Sequence, residues 1–245
     1  MYSRFSELYD LLTFDINYKK YAKNIMKFIE NEKIEEPSIL EIGCGTGNLT
    51  QELAKEGFSI LALDNSLDML NIAFPKLIEL ENVNLIIQDM YTFNYGIYGF
   101  DVIVSLLDVI NYITDEKKLV LLFKNIYDGL NEGGLFIFDI NSKNKLLDVL
   151  GNNTYVYEKE NVFYTWENTM VDNLVYFDLN FFVKTNENYE RFKETQIERY
   201  YSIDFIKNML EEIGFINIEF IDEDTGFNIN DETQRILIKS QKPTE

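Results

Sequence analysis

Residues 39–48 read Ile39-Leu40-Glu41-Ile42-Gly43-Cys44-Gly45-Thr46-Gly47-Asn48. Ile39, Leu40 and Ile42 form the short apolar run of a strand covered on both faces, as in the centre of a parallel sheet. Gly43, Gly45 and Gly47 then remove three side chains within five residues. Their absence leaves the backbone free to take positive φ angles or to approach a ligand closely. Leu49, Leu53 and Ala54 begin an amphipathic pattern at once, so the unit is strand, glycine turn, helix.

The glycine spacing separates this turn from a dinucleotide fingerprint, which is G-x-G-x-x-G rather than G-x-G-x-G. Glu41 would also sit badly beside a pyrophosphate, and a carboxylate at the mouth of the turn suits a cation better. A second apolar run, Ser59 to Leu63, is closed by Asp64, 21 residues after Gly43. In nucleotide-binding α/β folds an acid at that distance accepts both ribose hydroxyls.

Two more segments follow in order, Gln88-Asp89-Met90 and Asn131-Glu132-Gly133-Gly134-Leu135-Phe136-Ile137-Phe138-Asp139. Together with residues 40–48 and Leu63-Asp64-Asn65-Ser66, they resemble the class I S-adenosylmethionine-dependent methyltransferases. The resemblance implies a Rossmann-like α/β fold, a seven-stranded, mostly parallel sheet with helices on both faces. It spans residues 37–140 strongly and 202–240 weakly. It implies a cofactor site of Tyr21, Glu41, Gly43, Gly45, Gly47, Asn48, Asp64, Asn65, Met69, Asp89, Met90 and Leu106. In it the amides of Gly43–Gly47 and Asp64 hold S-adenosylmethionine, Asp89 reads the adenine amine, Met90 covers the ring, and Glu41 faces the aminoacid end. It also carries the chain beyond the fourth strand past the reactive methyl, which makes Asp108, Asn111 and Tyr112 candidates for positioning the acceptor and Asp108 a candidate base. The structural alternatives stay open: Asp89 as a strand-end turn acid, Asp108 as a helix cap, Asn111 as a partner of backbone groups.

The composition narrows the acceptor. Against 22 Lys+Arg stand 42 Asp+Glu, a formal charge of −20, and such a field repels phosphate backbones, so nucleic acid is not the expected partner. The acid excess fits a cationic or amine-bearing acceptor and equally fits a solubility role. The chain contains no histidine, which removes imidazole bases and histidine metal ligands, and no metal is expected. The single cysteine, Cys44, is read as a small filler inside the turn. No run approaches the ~18–20 apolar residues of a membrane span, and Met1 to Glu7 shows no apolar leader, so the cytoplasm is the expected compartment. Oligomeric state is not legible.

Along the chain, residues 1–36 read as a helical cap, with Tyr21, Ile25, Phe28 and Ile29 at helical spacing. Residues 37–150 and 202–245 form the expected core. It includes a helix from Asp115 to Leu130 stopped by Gly133-Gly134, a strand from Leu135 to Ile140, and a helix capped by Ser202 and ended by Gly214. Residues 151–201 break the alternation with three extended runs, Tyr155–Trp166, Val171–Thr185 and Tyr189–Tyr201, which read as a small antiparallel β insertion. Some amino-sugar N-methyltransferases and bacterial relatives carry such an insertion over the active site. By that resemblance Tyr9, Trp166, Arg199 and Tyr201 are candidate lid contacts, against the alternative of cross-strand packing or surface pairing.

The expected activity is methyl transfer to a small molecule, with an amine nitrogen as the expected acceptor atom. Oxygen or carboxyl methylation and a non-catalytic S-adenosylmethionine-binding module stand as alternatives. A nicotinamide dehydrogenase is disfavoured by the glycine spacing and Glu41.

Overall fold

The computed structural model describes residues 3–244, so the first two residues of the expected cap and the last of the polar tail lie outside the described residues. In chain order the elements are α1 (Ser3–Leu12), α2 (Tyr18–Asn31), β1 (Ser38–Ile42), α3 (Asn48–Lys55), β2 (Ser59–Asp64), α4 (Leu67–Leu77), β3 (Val83–Ile87), β4 (Phe100–Ser105), α5 (Glu116–Gly129) and β5 (Leu130–Asn141). A π-helical segment (Asn144–Leu150) leads to β6 (Thr154–Lys159), β7 (Val162–Val171), β8 (Leu174–Thr185) and β9 (Asn188–Arg199), and the chain closes with α6 (Ile203–Ile213), β10 (Ile216–Asp222) and β11 (Arg235–Gln241).

Seven strands form one sheet in the order β10-β11-β5-β4-β1-β2-β3, with β11 antiparallel to both neighbours and the other pairings parallel. This is the Rossmann-like sheet that the motifs imply. The chain runs outward from β1 to β3 and then returns to place β4 on the other side of β1. The loops after β1 and β4 therefore diverge and open a crevice at the carboxyl edge.

Each face of the sheet carries its own core. Phe123 of α5 packs edge-on against Phe136 and Phe138, both at 5.0 Å, in the cluster that also holds Leu40, Ile42 and the apolar side of α6. On the other face Ile39, Val102 and Val104 meet Ile25 and Ile29 of α2 and Leu49 and Leu53 of α3. Strand alternation puts Glu41 on the same side as Ile39, toward α3. Caps behave as the sequence predicts: the Ser66 and Ser202 hydroxyls accept from the amides of Met69 and Phe205, and Gly214 ends α6 in the left-handed region. No helix is long and apolar enough to cross a membrane among the described residues.

Two expectations need correction. The run Tyr155–Trp166 is not one strand, because it folds back between Lys159 and Val162, which pair across a two-residue turn with Glu160 at φ 54°. Residues 154–199 thus form four antiparallel strands in the order β6-β7-β8-β9. The α5 helix yields at Gly129, where an added Cβ would come within 2.6 Å of Tyr95 Cβ, and β5 runs straight through Gly133-Gly134. The glycine pair is part of the strand, not the stop.

The four-stranded sheet turns one face inward. Val175, Phe177, Leu179 and Phe181 of β8 are buried there with Val162. They pack on Phe5 of α1, Met69 of α4 and Leu146 of the π-helical segment. The insertion is therefore a roof resting on the elements that border the carboxyl edge.

Candidate functional site

Gly43, Gly45 and Gly47 have φ of 74°, 54° and 76°. The turn is tied to β2, with Gly43 and Cys44 donating to the Leu63 carbonyl at 2.8 and 3.0 Å and Gly45 donating to Asp64 Oδ2 at 2.9 Å. A Cβ at Gly43 would meet Val109 Cγ2 at 2.6 Å, and one at Gly47 would meet Leu77 Cδ1 at 2.9 Å. At Gly45 it would meet nothing within 4 Å. The outer glycines are required by protein packing, while the middle one opens on free space.

Asp64 also accepts from the Ser66 amide through Oδ1 at 2.8 Å. Burial raises its carboxyl above the usual range, against the pull of the Ser66, Gly45 and Asn65 amides. Glu41 is 3% exposed and its Oε2 accepts no hydrogen bond among the described residues. Burial pushes its carboxyl up to about 8, with the Thr50 hydroxyl opposing and Asp64 adding to the rise. Met69 and Leu106 are buried at this edge, Asn65 is exposed, and Tyr21 lies in the α2–α3 core with its phenol raised by burial. Asp89 is exposed and caps its own turn by accepting from the Tyr91 amide at 2.7 Å, while the Met90 carbonyl accepts from the Tyr95 hydroxyl at 2.9 Å. Cys44 is buried and its thiol pushed up by burial, which removes nucleophilic character at neutral pH.

The helix α1 is fastened over the turn by one acid. Asp10 Oδ1 accepts from Thr46 Oγ1 at 2.7 Å and Asn48 Nδ2 at 2.9 Å, and Oδ2 accepts from Lys76 Nζ at 2.6 Å. Lys76 also donates to Asn48 Oδ1 at 2.7 Å. Burial pushes the Asp10 carboxyl up, but these hydrogen bonds outweigh it and hold it below the usual range.

Beyond β4, Leu107 and Asp108 have φ of 65° and 70°, a left-handed pair that non-glycine residues rarely adopt. Asp139 holds them there, accepting from both amides at 3.0 and 3.1 Å. Arg235 bridges Asp108 at 2.7 Å and Asp139 at 2.9 Å. Burial raises the Asp108 carboxyl, but the Arg235 charge outweighs it and leaves it below the usual range; for Asp139 burial prevails and the carboxyl is raised. Asn111 is fully buried, donating to the Arg199 carbonyl and accepting from the Asn141 amide, both at 2.9 Å. Asn141 Nδ2 donates to Glu198 Oε2 at 2.7 Å. Burial, helped by Asp108, pushes Glu198 up to about 8, and burial lowers the ammonium of neighbouring Lys145.

The remaining candidates are spread around this centre. Tyr112 is exposed and donates to Gln196 Oε1 at 3.1 Å. Tyr9 packs edge-on against Phe5 at 5.9 Å beneath the roof, its phenol raised by burial. Trp166 lies between Tyr155 and Phe177 at 5.6 and 5.7 Å with a buried Nε1 that has no partner among the described residues. Arg199 pairs with Glu116 and donates to the Thr114 carbonyl at 3.3 Å, and the Tyr201 hydroxyl donates to the Ile113 carbonyl. These last two bind the returning chain to the segment before α5.

Sequence reasoning missed Asp10, Asn141, Lys145, Glu198 and Arg235, and gave Asp139 no role. For Glu198 the signal was the period of two along β9, but which side faces inward needs the register with β8. Arg235 carried no local signal: it reaches its partners only because β11 lies beside β5.

A Rossmann-like sheet with a glycine turn and an acid closing the neighbouring strand at its carboxyl edge is the frame of a nucleoside-binding α/β protein, and comparison with known proteins specifies which kind. Residues 39–134 match the family described as a methyltransferase domain. The crystal structure of an S-adenosylmethionine-dependent methyltransferase from Clostridium acetobutylicum superimposes with a TM-score of 0.88 over 99% of both chains, at 36% identity. "Putative methyltransferase YqeM" of Bacillus subtilis is 29% identical over 99% of this chain and 97% of its own. The sugar N-methyltransferase KedS8 from a Streptoalloteichus species shares the fold, with a TM-score of 0.79 at 18% identity over 96% of this chain and 92% of that one. The chain belongs to the class I S-adenosylmethionine-dependent methyltransferases.

Proposed function

We propose that the protein transfers a methyl group from S-adenosylmethionine to an amine nitrogen of a small-molecule acceptor. The observation that carries this reading is the roof. The four-stranded sheet lays its apolar face on α1, Met69 and Leu146 beside the carboxyl edge, which favours a compact acceptor over a polymer. The formal charge of −20 disfavours a nucleic-acid substrate and favours a cationic one.

The residues present fit the cofactor. Glu41 Oε2 is a buried acceptor in need of a donor, suited to the aminoacid ammonium, and Gly45 leaves open space where a side chain would stand. In this reading Asp64 holds the ribose hydroxyls, Asp89 and Met90 the adenine, Asn48 and Asn65 the polar rim, and Met69, Leu106 and Tyr21 the apolar wall. When bound, S-adenosylmethionine supplies a methyl already activated by its sulfonium leaving group, so the chain needs no covalent nucleophile. What the protein adds is orientation and dryness, with the Leu107–Asp108 turn, held by Asp139 and Arg235, fixing the wall beside the acceptor.

The test is thermal unfolding with S-adenosylmethionine, S-adenosylhomocysteine and NADH in parallel, followed by mass spectrometry of amines, alcohols and carboxylates incubated with enzyme and S-adenosylmethionine. A ligand at about 100 times its dissociation constant adds roughly 2.7 kcal/mol, or about 5–10 °C for a chain of this size. A shift with the two sulfur ligands and methylated amines are expected. Methylated alcohols or carboxylates alone would move the acceptor to oxygen, and a shift with NADH alone would overturn the cofactor.

A further inference from the structure

The inner face of the roof carries an acidic row as well as an apolar one. Register with β8 sets Glu190 opposite Val183, Glu194 opposite Leu179 and Glu198 opposite the buried Val175, so all three acids share the inward face. They grade from exposed to buried: Glu190 is open and pairs with Arg4, Glu194 is half-buried, and Glu198 is 6% exposed.

The deep end of this row lacks hydrogen-bond donors. Asn141 is 1% exposed and its Oδ1 has no partner among the described residues, although its Nδ2 is spent on Glu198 Oε2. Glu198 Oε1 makes no hydrogen bond among the described residues. The nearby cations do not fill the gap. Arg235 is committed to Asp108 and Asp139, and Lys145 Nζ forms no ion pair with any carboxylate among the described residues. A buried acceptor left without a donor is costly, so Asn141 Oδ1, on a side chain bonded to a carboxylate that keeps one oxygen free of hydrogen bonds, calls for a ligand rich in N–H groups. An ammonium offers three donors, a hydroxyl one and a carboxylate none.

We propose that Glu198 and Asn141 Oδ1 seat the acceptor's amino group and that Glu198 takes the proton the ammonium must lose. The proposal rests on the nitrogen-acceptor reading above. In the transfer the N–H bond breaks and leaves its electron pair on nitrogen, the proton joins a Glu198 carboxylate oxygen, and the carboxyl becomes neutral. Asp108, held ionised by Arg235, is the poorer proton acceptor. The charged and titratable groups acting on Glu198 are Asp108 on the turn after β4, Lys145 on the π-helical segment and Arg235 on β11, with Asp139 on β5 paired to Arg235 behind them. Their balance leaves its carboxyl up to about 8, in the range where a base exchanges protons near neutral pH.

The test is calorimetry on the full chain saturated with S-adenosylhomocysteine, titrated with a panel of primary amines (cyclohexylamine, 2-phenylethylamine, ethanolamine) and the matching alcohols. Amines are expected to bind and alcohols to bind weakly. In buffers of different ionisation heat, amine binding to wild type at pH 7 should release about one proton, because an ammonium pairs with a carboxyl that was protonated beforehand. Glu198→Gln should weaken amine binding roughly ten- to a hundred-fold and abolish the proton release, with affinity for S-adenosylhomocysteine unchanged. Amines that bind Glu198→Gln as well as wild type, or bind wild type without proton release, would overturn the assignment to Glu198 alone. Failure of every amine to bind, with the sulfur ligand still binding, would overturn the nitrogen-acceptor reading and this proposal with it.

Discussion

Glu41 sits where ionisation is costly, and this gives the site a measurable signature. Its carboxyl is raised in the folded protein to about 8 from the ordinary 4.5, so the native state holds a proton that the unfolded chain releases. Its contribution to stability is therefore fully present below about pH 4.5 and is lost as pH rises through about 8. Glu41→Gln keeps the shape and removes the titration. Its melting temperature relative to wild type should rise steadily from pH 5 to pH 8, by a free-energy difference on the order of a few kcal/mol. A constant difference across that range would show that Glu41 is ionised in the fold. Glu41 and Asp64 were legible in the sequence because both belong to contiguous motifs whose spacing is set by one strand and one turn. Glu198 was not, because its inward orientation is fixed by pairing with Val175, 23 residues earlier in the sequence.

At the scale of elements, α1 depends on a polar clasp as well as on its apolar face. Phe5 packs under the roof, but the link to the glycine turn runs through Asp10 to Thr46, Asn48 and Lys76. Asp10→Ala removes that link and leaves the apolar contacts in place. Global stability should fall by about 1 kcal/mol or less, since the Asp10 side chain is 41% exposed and solvent screens its pair with Lys76. Amide exchange in α1 should quicken selectively, as hydrogen–deuterium exchange with mass spectrometry can measure; unchanged protection in α1 would show that packing alone holds it. The helices themselves were readable from apolar spacing and from Ser66, Ser202 and Gly214. The hairpin at Glu160-Asn161 was not, because Asn161 was its one turn signal and the aromatic residues on both sides of it read as one continuous strand.

For the whole molecule, a formal charge of −20 on 245 residues means that compaction works against self-repulsion. Raising sodium chloride from about 10 mM to 150 mM shortens the screening length from roughly 30 to 8 Å and should raise the melting temperature by a few degrees. A flat or falling response would show that local ion pairs such as Arg235 with Asp108 and Asp139 outweigh the long-range field.

Asn111 accepts from Asn141, where the chain leaves the core for the roof, and donates to Arg199, where it comes back. Departure and return are thus buckled by one amide, and the roof behaves as an interchangeable cartridge whose loading port is fixed. On the proposed reading, in which the roof selects the acceptor, a lineage that replaces everything between those two residues alters the acceptor while inheriting the cofactor half unchanged. A graft cut at these residues is the natural unit for transplanting specificity between relatives.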